Sequence, residues 1–396
     1  MPLSDTIRTV HVSYDGALDP LGATQVIPYV ERLSRRGVVI TLLSFEKPDR
    51  WADVRAREAL AVRLGSAGIT WHPLVYHQRP RVPATAWDVL HGAANISREA
   101  WRTRASFVHC RGDVTMAMAR LARLPRRTQL IYEPRGLFSD ERVEIGSWRR
   151  GSLLDKAVRR VEDGNLQGAD GILIVMSEAG RADIARRRSP LPPHRVMPNS
   201  TDLAAFTPRG PEERPDFGLA YCGSLGGWYM TKEIIEFARV ATRFIRERVL
   251  FLTPHVEEAR RAGADSSWAE VRSVAPGDVP SWLRRARASF FVIQATPAKR
   301  ASSTTKVAES LAVGLPVVSN RGVGDLEEVL EPERVGVLIP SLTEAGYESA
   351  ARDLAALLAD PDTSARCRRL AEKRYSIDAA AAAYHDLYRE LLSADR

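Results

Sequence analysis

Short apolar runs recur along the chain, and amphipathic stretches separate them. TVHVSY (9–14), VVITLLSF (38–45), ITWHPLVY (69–76), FVHCRG (107–112), QLIYEP (129–134) and GILIVM (171–176) predict strands in the first half. FGLAYCG (217–223), VLFLT (249–253), FFVIQ (290–294), PVVSN (316–320) and GVLIP (336–340) predict strands in the second. Many are continuously apolar rather than alternating, which suits parallel strands covered on both faces. Between them, TKEIIEFARVATRFI sets Ile234, Phe237, Ala238, Ala241, Phe244 and Ile245 on one stripe at helical spacing. Strand–helix alternation of this kind predicts an α/β protein with doubly wound sheets.

The alternation pauses at PNSTDLAAFTPRGPEERPDFG (198–218), where prolines and charges cluster as in an interdomain linker. The expected division is a Rossmann-like unit over 1–200, a second over 201–375, and a helix within 376–396. That helix, IDAAAAAYHDLYRELLSA, is alanine-rich and amphipathic and should pack on a neighbouring domain. A chain of 396 residues is too long for one typical core, which agrees with two units.

Composition narrows the function classes. No apolar run approaches the ~20 residues that span a bilayer. MPLSDTIRTVHVSY lacks a basic region followed by a long apolar core, so no signal peptide is expected. Cys110, Cys222 and Cys367 are scattered, which gives neither a disulfide framework nor a metal-ligand spacing, and a cytoplasmic location is expected. The net charge of +8 suits nucleic acid, anionic lipid or an anionic substrate. No helix-turn-helix, zinc-finger or RNA-binding motif is visible, so nucleic acid is not an expected partner.

In open α/β sheets ligands sit where strands end and loops lead into helices. Four such stretches carry chemistry. SYDGALDPLGATQV follows the first strand, and Gly22 there permits close approach of a ligand. YEPRGLFSDERVE crowds Glu133, Arg135, Asp140 and Glu141 onto a strand end, and Arg135 could grip an anionic leaving group or carboxylate. In YCGSLGGWYMTK, Gly223, Gly226 and Gly227 can expose amides. Lys232 stands in a first helical turn, where a cation is easier to explain if an anion shares the site. In SSTTKVAESLAVGLP, hydroxyl residues precede a helix on which Lys306 and Glu309 share one face.

The order of these stretches resembles the GT-B glycosyltransferases, in particular their retaining family-4 group. HVSYDGALDPLGATQVIPYVERLSRRGVVITLLSFEK is similar to that group's opening strand, loop and helix, and VMPNSTDLAAF to its Pro-Asn-x-x-Asp-x-x-x-Phe linker. YCGSLGGWYMTK resembles its Gly-Arg-Leu…Lys segment, and TTKVAESLAVGLPVVSN its Leu-Glu-Ala-Met-Ala-x-Gly-x-Pro-Val-Val segment. The resemblance implies two Rossmann-like domains facing across a cleft, with a C-terminal helix crossing back to the first. It implies transfer of a sugar from a nucleoside-diphosphate sugar, UDP or GDP, with no further cofactor. Lys232 would bind the donor diphosphate, Glu309 the ribose, and Gly22 the phosphate from the N-terminal side. Gly223 and Ser224 would form the phosphate loop, and the backbone of Ser303, Thr304 and Thr305 would hold the sugar. Arg135, Glu133 and Asp140 are the candidate catalytic residues.

Three positions depart from the pattern. Ala301 stands where the family has the first of two glutamates. Ser224 replaces an arginine that Lys306 could substitute, and Arg135 replaces a histidine. No Asp-x-Asp metal motif is apparent, so a metal-independent mechanism is expected. Two alternatives share the fold: a nucleotide-sugar 2-epimerase, with Glu133, Asp140 and His109 as its acid/base candidates, and an inactive partner subunit. The acceptor is left open as a glycan, a lipid-linked or a small molecule. The basic amphipathic segment 147–166 is a candidate peripheral contact with the inner face of the membrane.

Overall fold

The computed structural model describes residues 6–394 apart from position 211. Residues 1–5, 395 and 396, at the ends of the expected first and last units, and position 211 in the expected linker lie outside the described residues. Seven strands form the first sheet: β1 (Arg8–Ser13), β2 (Val39–Glu46), β3 (Thr70–Val75), β4 (Phe107–Arg111), β5 (Gln129–Glu133), β6 (Gly171–Ile174) and β7 (His194–Val196). They lie in the order β3-β2-β1-β4-β5-β6-β7. Six more form the second: β8 (Phe217–Cys222), β9 (Val249–Leu252), β10 (Ala269–Arg272), β11 (Ala286–Phe290), β12 (Val317–Asn320) and β13 (Gly336–Ile339). Their order is β10-β9-β8-β11-β12-β13, and every pairing in both sheets is parallel. Both orders are the doubly wound arrangement, with strand order reversing beside β1 and beside β8.

Three strands differ from the sequence expectation. The edge strands β7 and β10 read HRV and AEVR, and charged edges carry no apolar run to detect. β11 lies four residues earlier than FFVIQ. Before Phe290 its residues are small or arginine, yet Ala286, Ala288 and Ser289 are buried at the centre of the sheet. The apolar FFVIQ stretch is instead mostly the buried turn after it, held where the Ile293 amide donates to Asn320 Oδ1 at 2.9 Å.

The helix Ile377–Ala394 packs on the first sheet's unit. Tyr384, Leu387 and Tyr388 join the core around Tyr29, Phe107 and Leu173, and the Phe107 and Tyr388 rings stack with centroids 5.1 Å apart. Arg32 ties this crossing to the linker through Asp202 at 3.0 Å and Asp378 at 2.8 Å. The two units also touch directly. The Ser177 amide donates to the Ala301 carbonyl at 3.1 Å, and Lys299 Nζ meets Glu141 Oε1 at 2.7 Å.

Candidate functional site

The loops after β8 and β11 form one wall of the candidate site. Gly226 and Gly227 take φ values of +73° and +60°, a region open mainly to glycine. Gly223 is also in a positive-φ conformation, at +142°, and Lys306 Nζ lies so near that a Cβ there would be 2.1 Å from it and push the lysine aside. Several amides of this loop are already bonded, to the loop and to its neighbours. Gly223 N–H donates to the Leu252 carbonyl at 2.9 Å, Tyr229 N–H to the Gly226 carbonyl at 3.0 Å, and Gly226 N–H to Thr231 Oγ1 at 2.9 Å. The Ser224 carbonyl accepts from the Tyr221 hydroxyl.

Donors for an anion come instead from the helix Thr305–Ala312. Its N-cap, Thr304, makes no side-chain cap, and Thr304 Oγ1 is buried without a partner. An uncapped N-terminus presents free amides and the positive end of the helix dipole. Lys306, in the first turn, lays its Nζ 4.5 Å from the Tyr229 ring centroid at the mouth of the glycine loop. Among the described residues it forms no ion pair. The dipole opposes a cation there, so Lys306 fits an anion held between it and the helix end. Glu309, one turn on, is partly buried, and its carboxyl group has no hydrogen bond among the described residues. Burial pushes its carboxyl up to about 7, with Lys306 pulling the other way.

The other expected residues on this side divide. Ser303 is tied to the linker, accepting from the Asn199 amide at 2.9 Å through Oγ and from Asn199 Nδ2 at 2.6 Å through its carbonyl. Lys232 is not brought to the glycine loop. Its side chain is 78% exposed and reaches Glu236 at 3.7 Å, one helical turn on. The residue that turns inward is its neighbour Thr231, which also donates to Glu258 Oε1 at 3.2 Å. Ala301 is buried against the first unit, so no space exists for the family's glutamate in this arrangement.

The facing wall comes from the loops after β1, β4 and β5. Gly22 packs in place of a side chain, since a Cβ would lie 1.9 Å from the Gly16 carbonyl. The turn before it hangs on buried Glu46, which accepts from the amides of Ala17 at 2.8 Å and Leu18 at 3.1 Å. Glu133 lies beneath, 2% exposed. It accepts from the Tyr384 hydroxyl at 2.8 Å, and pairs with His109 Nε2 at 3.0 Å and Arg135 at 3.0 Å. Burial raises its pKa, but the His109 hydrogen bond and the charges of Arg135, His109 and Arg111 outweigh that and hold it well below the carboxylate range. Arg135 reaches up to Asn199 Oδ1 at 2.5 Å and Gln25 Oε1 at 3.3 Å. A continuous chain of polar contacts therefore runs from Glu133 through Arg135 and Asn199 to Ser303 on the opposite wall.

Asp140 is not part of this group. Arg159 at 2.8 Å and Arg150 at 3.2 Å hold its carboxylate, which makes it a tie between neighbouring helices. Arg111, paired with Asp15 and 3.7 Å from Glu133, was missed. It is a charge on the end of an apolar strand, the same signal that marked Glu133. One Asp-x-Asp triplet, Asp360–Pro361–Asp362, was also passed over. Asp360 pairs there with Arg366 at 2.9 Å and Arg334 at 3.4 Å, outside both walls.

Two parallel Rossmann-like sheets, each with its strand order reversing once, define a two-domain α/β class. Comparison with known proteins specifies it. A glycosyl transferase 4-like domain model matches residues 22–200, and a glycosyl transferase-like model matches 242–392. Together they cover most of the chain, which belongs to the group 1 glycosyltransferases of GT-B fold. Among solved structures, sucrose-phosphate synthase from Thermosynechococcus elongatus aligns over 98% of this chain and all of its own, with 17% identity and a TM-score of 0.71. A glycosyltransferase from Rickettsia africae aligns over 98% and 99%, with 10% identity and a TM-score of 0.68. HepE from Anabaena, solved with UDP-glucose, aligns over 98% and 100%, with 13% identity and a TM-score of 0.65. None of the curated proteins searched matches the chain in sequence. No helix among the described residues is long and apolar enough to cross a membrane.

Proposed function

We propose that this glycosyltransferase moves a sugar from a nucleoside-diphosphate sugar to an acceptor with retention of anomeric configuration. The observation that carries the reading is Lys306 at the uncapped start of the helix Thr305–Ala312, facing Gly223 and Tyr229 with no acidic partner among the described residues. The donor diphosphate lies between Lys306 and the helix amides, and Glu309 accepts from the ribose hydroxyls. UDP is the favoured base, since a neighbour of the same fold holds UDP-glucose. Of the two lysines expected at the diphosphate, this assignment keeps Lys306 and leaves out Lys232.

In the reaction the bond from the anomeric carbon to the leaving phosphate oxygen breaks as the acceptor oxygen bonds to the same face. The acceptor's proton passes to that phosphate oxygen. The enzyme's part is to stabilise the departing diphosphate and to align the two substrates. No protein carboxylate is required as nucleophile and the scheme uses no metal. The epimerase alternative needs a free acid or base in the cleft. Glu133 and His109 are buried and bonded to each other, and Asp140 is held by two arginines, which weighs against it.

A thermal-shift screen of UDP, GDP, ADP and dTDP and their sugars tests the reading, because a ligand bound only by the folded state raises its melting temperature. A rise with one base, and an anomeric proton of unchanged configuration in the product by NMR, are expected. No shift with any nucleotide would leave the inactive-subunit reading standing, and an inverted product would overturn the mechanism.

A further inference from the structure

The chain's positive charge is concentrated. Residues 70–130 hold ten arginines and no lysine, against Asp88, Glu99 and Asp113, which is +7 of the chain's +8. Asp88 and Glu99 are buried, Glu99 pairing with Arg102 at 2.7 Å and Arg98 at 3.1 Å, and Asp113 is bonded to the Tyr132 hydroxyl at 2.5 Å; Arg104, Arg123, Arg126 and Arg127 form no such pair among the described residues. Arg98, Arg102 and Arg104 around the end of the helix Arg81–Thr103, and Arg123, Arg126 and Arg127 on the loop after the helix Asp113–Leu121, are all exposed.

The same surface carries large apolar side chains. Trp87, Leu90 and Trp101 are 59%, 61% and 61% exposed, and Leu121 is 60% exposed. Trp87, Leu90, Ala94 and Trp101 recur at three-, four- and seven-residue spacing, so one outward helix face is apolar where a solvated helix would be polar. Trp101 Nε1 donates to the Arg123 carbonyl at 2.9 Å, and the Arg123 amide to Ser97 Oγ at 2.9 Å. Helix and arginine loop thus form one continuous surface. The inversion repeats on the helix Leu153–Gln167, which packs against the helix Asp113–Leu121. There Leu153 is 88% exposed while Asp155, Glu162 and Asn165 are buried. The apolar side of segment 147–166 therefore does not pack wholly on the core.

We propose that this face of the first unit docks on an anionic lipid bilayer. The arginines lie against headgroups, and Trp87, Leu90, Trp101 and Leu121 enter the interfacial layer, the depth that tryptophan and amphipathic helix faces prefer. Charge complementarity selects this occupant, because exposed cations and apolar rings interleave and the nearby acids are turned inward. The inference goes beyond sugar transfer and does not depend on the donor site.

Flotation of the full chain with phosphatidylcholine vesicles, and with vesicles containing phosphatidylglycerol, tests it without measuring activity. The protein should rise with the anionic vesicles at low salt and less so as salt is added. Each cation near such a surface contributes about fivefold, so Arg123→Gln, Arg126→Gln and Arg127→Gln together should lower partitioning about a hundredfold. Trp87→Ser with Leu90→Ser should weaken it with charge unchanged, while Arg261→Gln, exposed on the second unit, should leave it intact. Melting curves matched to the parent keep misfolding out of the comparison. If a variant melts lower, a blue shift of the parent's tryptophan emission on adding anionic vesicles supports docking and its absence counts against it. Protein that stays at the bottom with anionic vesicles overturns the proposal, as does unchanged flotation of the triple variant. Binding of an RNA or DNA fragment in place of vesicles would assign the face to nucleic acid and equally overturn it.

Discussion

Glu133 belongs to the first unit's wall and Lys306 to the second's, and their surroundings are opposite. Glu133 is buried among Tyr384, His109 and Arg135 with Arg111 close by, so its charge is compensated inside the chain. Lys306 has aromatic faces and a glycine loop around it and forms no ion pair among the described residues; the nearest acid it acts on is Glu309, one turn along its own helix. A buried charge without partners is costly, so the first arrangement is a finished structural tie. The second is incomplete until something negative arrives. Charge at a strand end or helix start does not by itself distinguish the two. The state of its hydrogen bonds does.

The largest effect expected from this contrast is on folding. Glu133→Ala leaves Arg111, Arg135 and His109 facing a gap, and breaking such a buried set costs about 3–5 kcal/mol. The melting temperature at pH 7 should fall by roughly 10 °C, taking about 2–4 °C per kcal/mol. The pH dependence has a definite sign. Glu133's folded pKa is depressed, so its contribution is full above the ordinary carboxylate range and is lost as pH falls below it. Buried His11 adds to this. Burial, helped by His109 and Arg111 against an opposing pull from Glu133, lowers its pKa well below the ordinary value. Stability then falls as pH drops below about 6.5, where the unfolded histidine gains a proton that the folded one refuses. Melts of the parent and of Glu133→Ala from pH 8 to 4 should stay well separated and begin to close only at the acid end, because the folded carboxyl holds its charge well below pH 4. An unchanged melting temperature with lost turnover would instead make Glu133 a reacting group.

Lys306→Ala tests the other side. Losing a charge-assisted contact of about 1.5–3 kcal/mol should weaken donor binding roughly 10- to 150-fold. Stability should barely move, since the contact given up is a partly exposed cation–aromatic one. Calorimetric titration of the nucleotide that answers the base screen, with a melting curve alongside, reads both. Unchanged affinity would remove the diphosphate from this helix end.

Glu309 gives a finer measurement at the same site. Because burial lifts its carboxyl to about 7, it is protonated in much of the free protein below that pH. If the carboxylate accepts the ribose hydroxyls, donor affinity should rise with pH up to about 7 and level off above it. Glu309→Gln should bind more weakly at pH 8 and show a flat profile. Two parallel profiles would mean that Glu309 ionisation is not linked to the donor.

Much of the fold was legible because parallel strands covered on both faces are written as apolar runs, and β1, β2, β5, β6, β8, β9, β12 and β13 all are. β11 was misplaced because its place at the sheet's centre is met with alanine and serine, and apolar character passed to the turn beyond it. At the candidate site, Gly223, Lys306 and Glu309 were singled out from glycine and capping chemistry. The partners that decide their roles were not. Tyr384 reaches Glu133 from 251 positions away, and Asn199 reaches Ser303 from 104. Such distances leave no local pattern.

The smallest expected effect is the check on Lys232. Lys232 and Lys306 each stand in the first turn of a helix that follows a loop at a strand end, so they looked alike as phosphate ligands. Successive helical residues are turned about 100° apart. Thr231 uses the inward position to anchor Gly226. Lys232 therefore joins Ile235, Glu236 and Arg239 around an open depression of about 460 Å³ on the outer flank. Its contact with Glu236 is an exposed i,i+4 pair, worth a few tenths of a kcal/mol. Lys232→Ala should therefore keep donor affinity within about twofold and leave the melting temperature within about a degree. Run beside Lys306→Ala in one titration series, it asks whether two first-turn lysines are equivalent. A loss as large as that of Lys306→Ala would mean that Lys232 swings in when donor binds, and that the free side chain's position is a poor guide to its role.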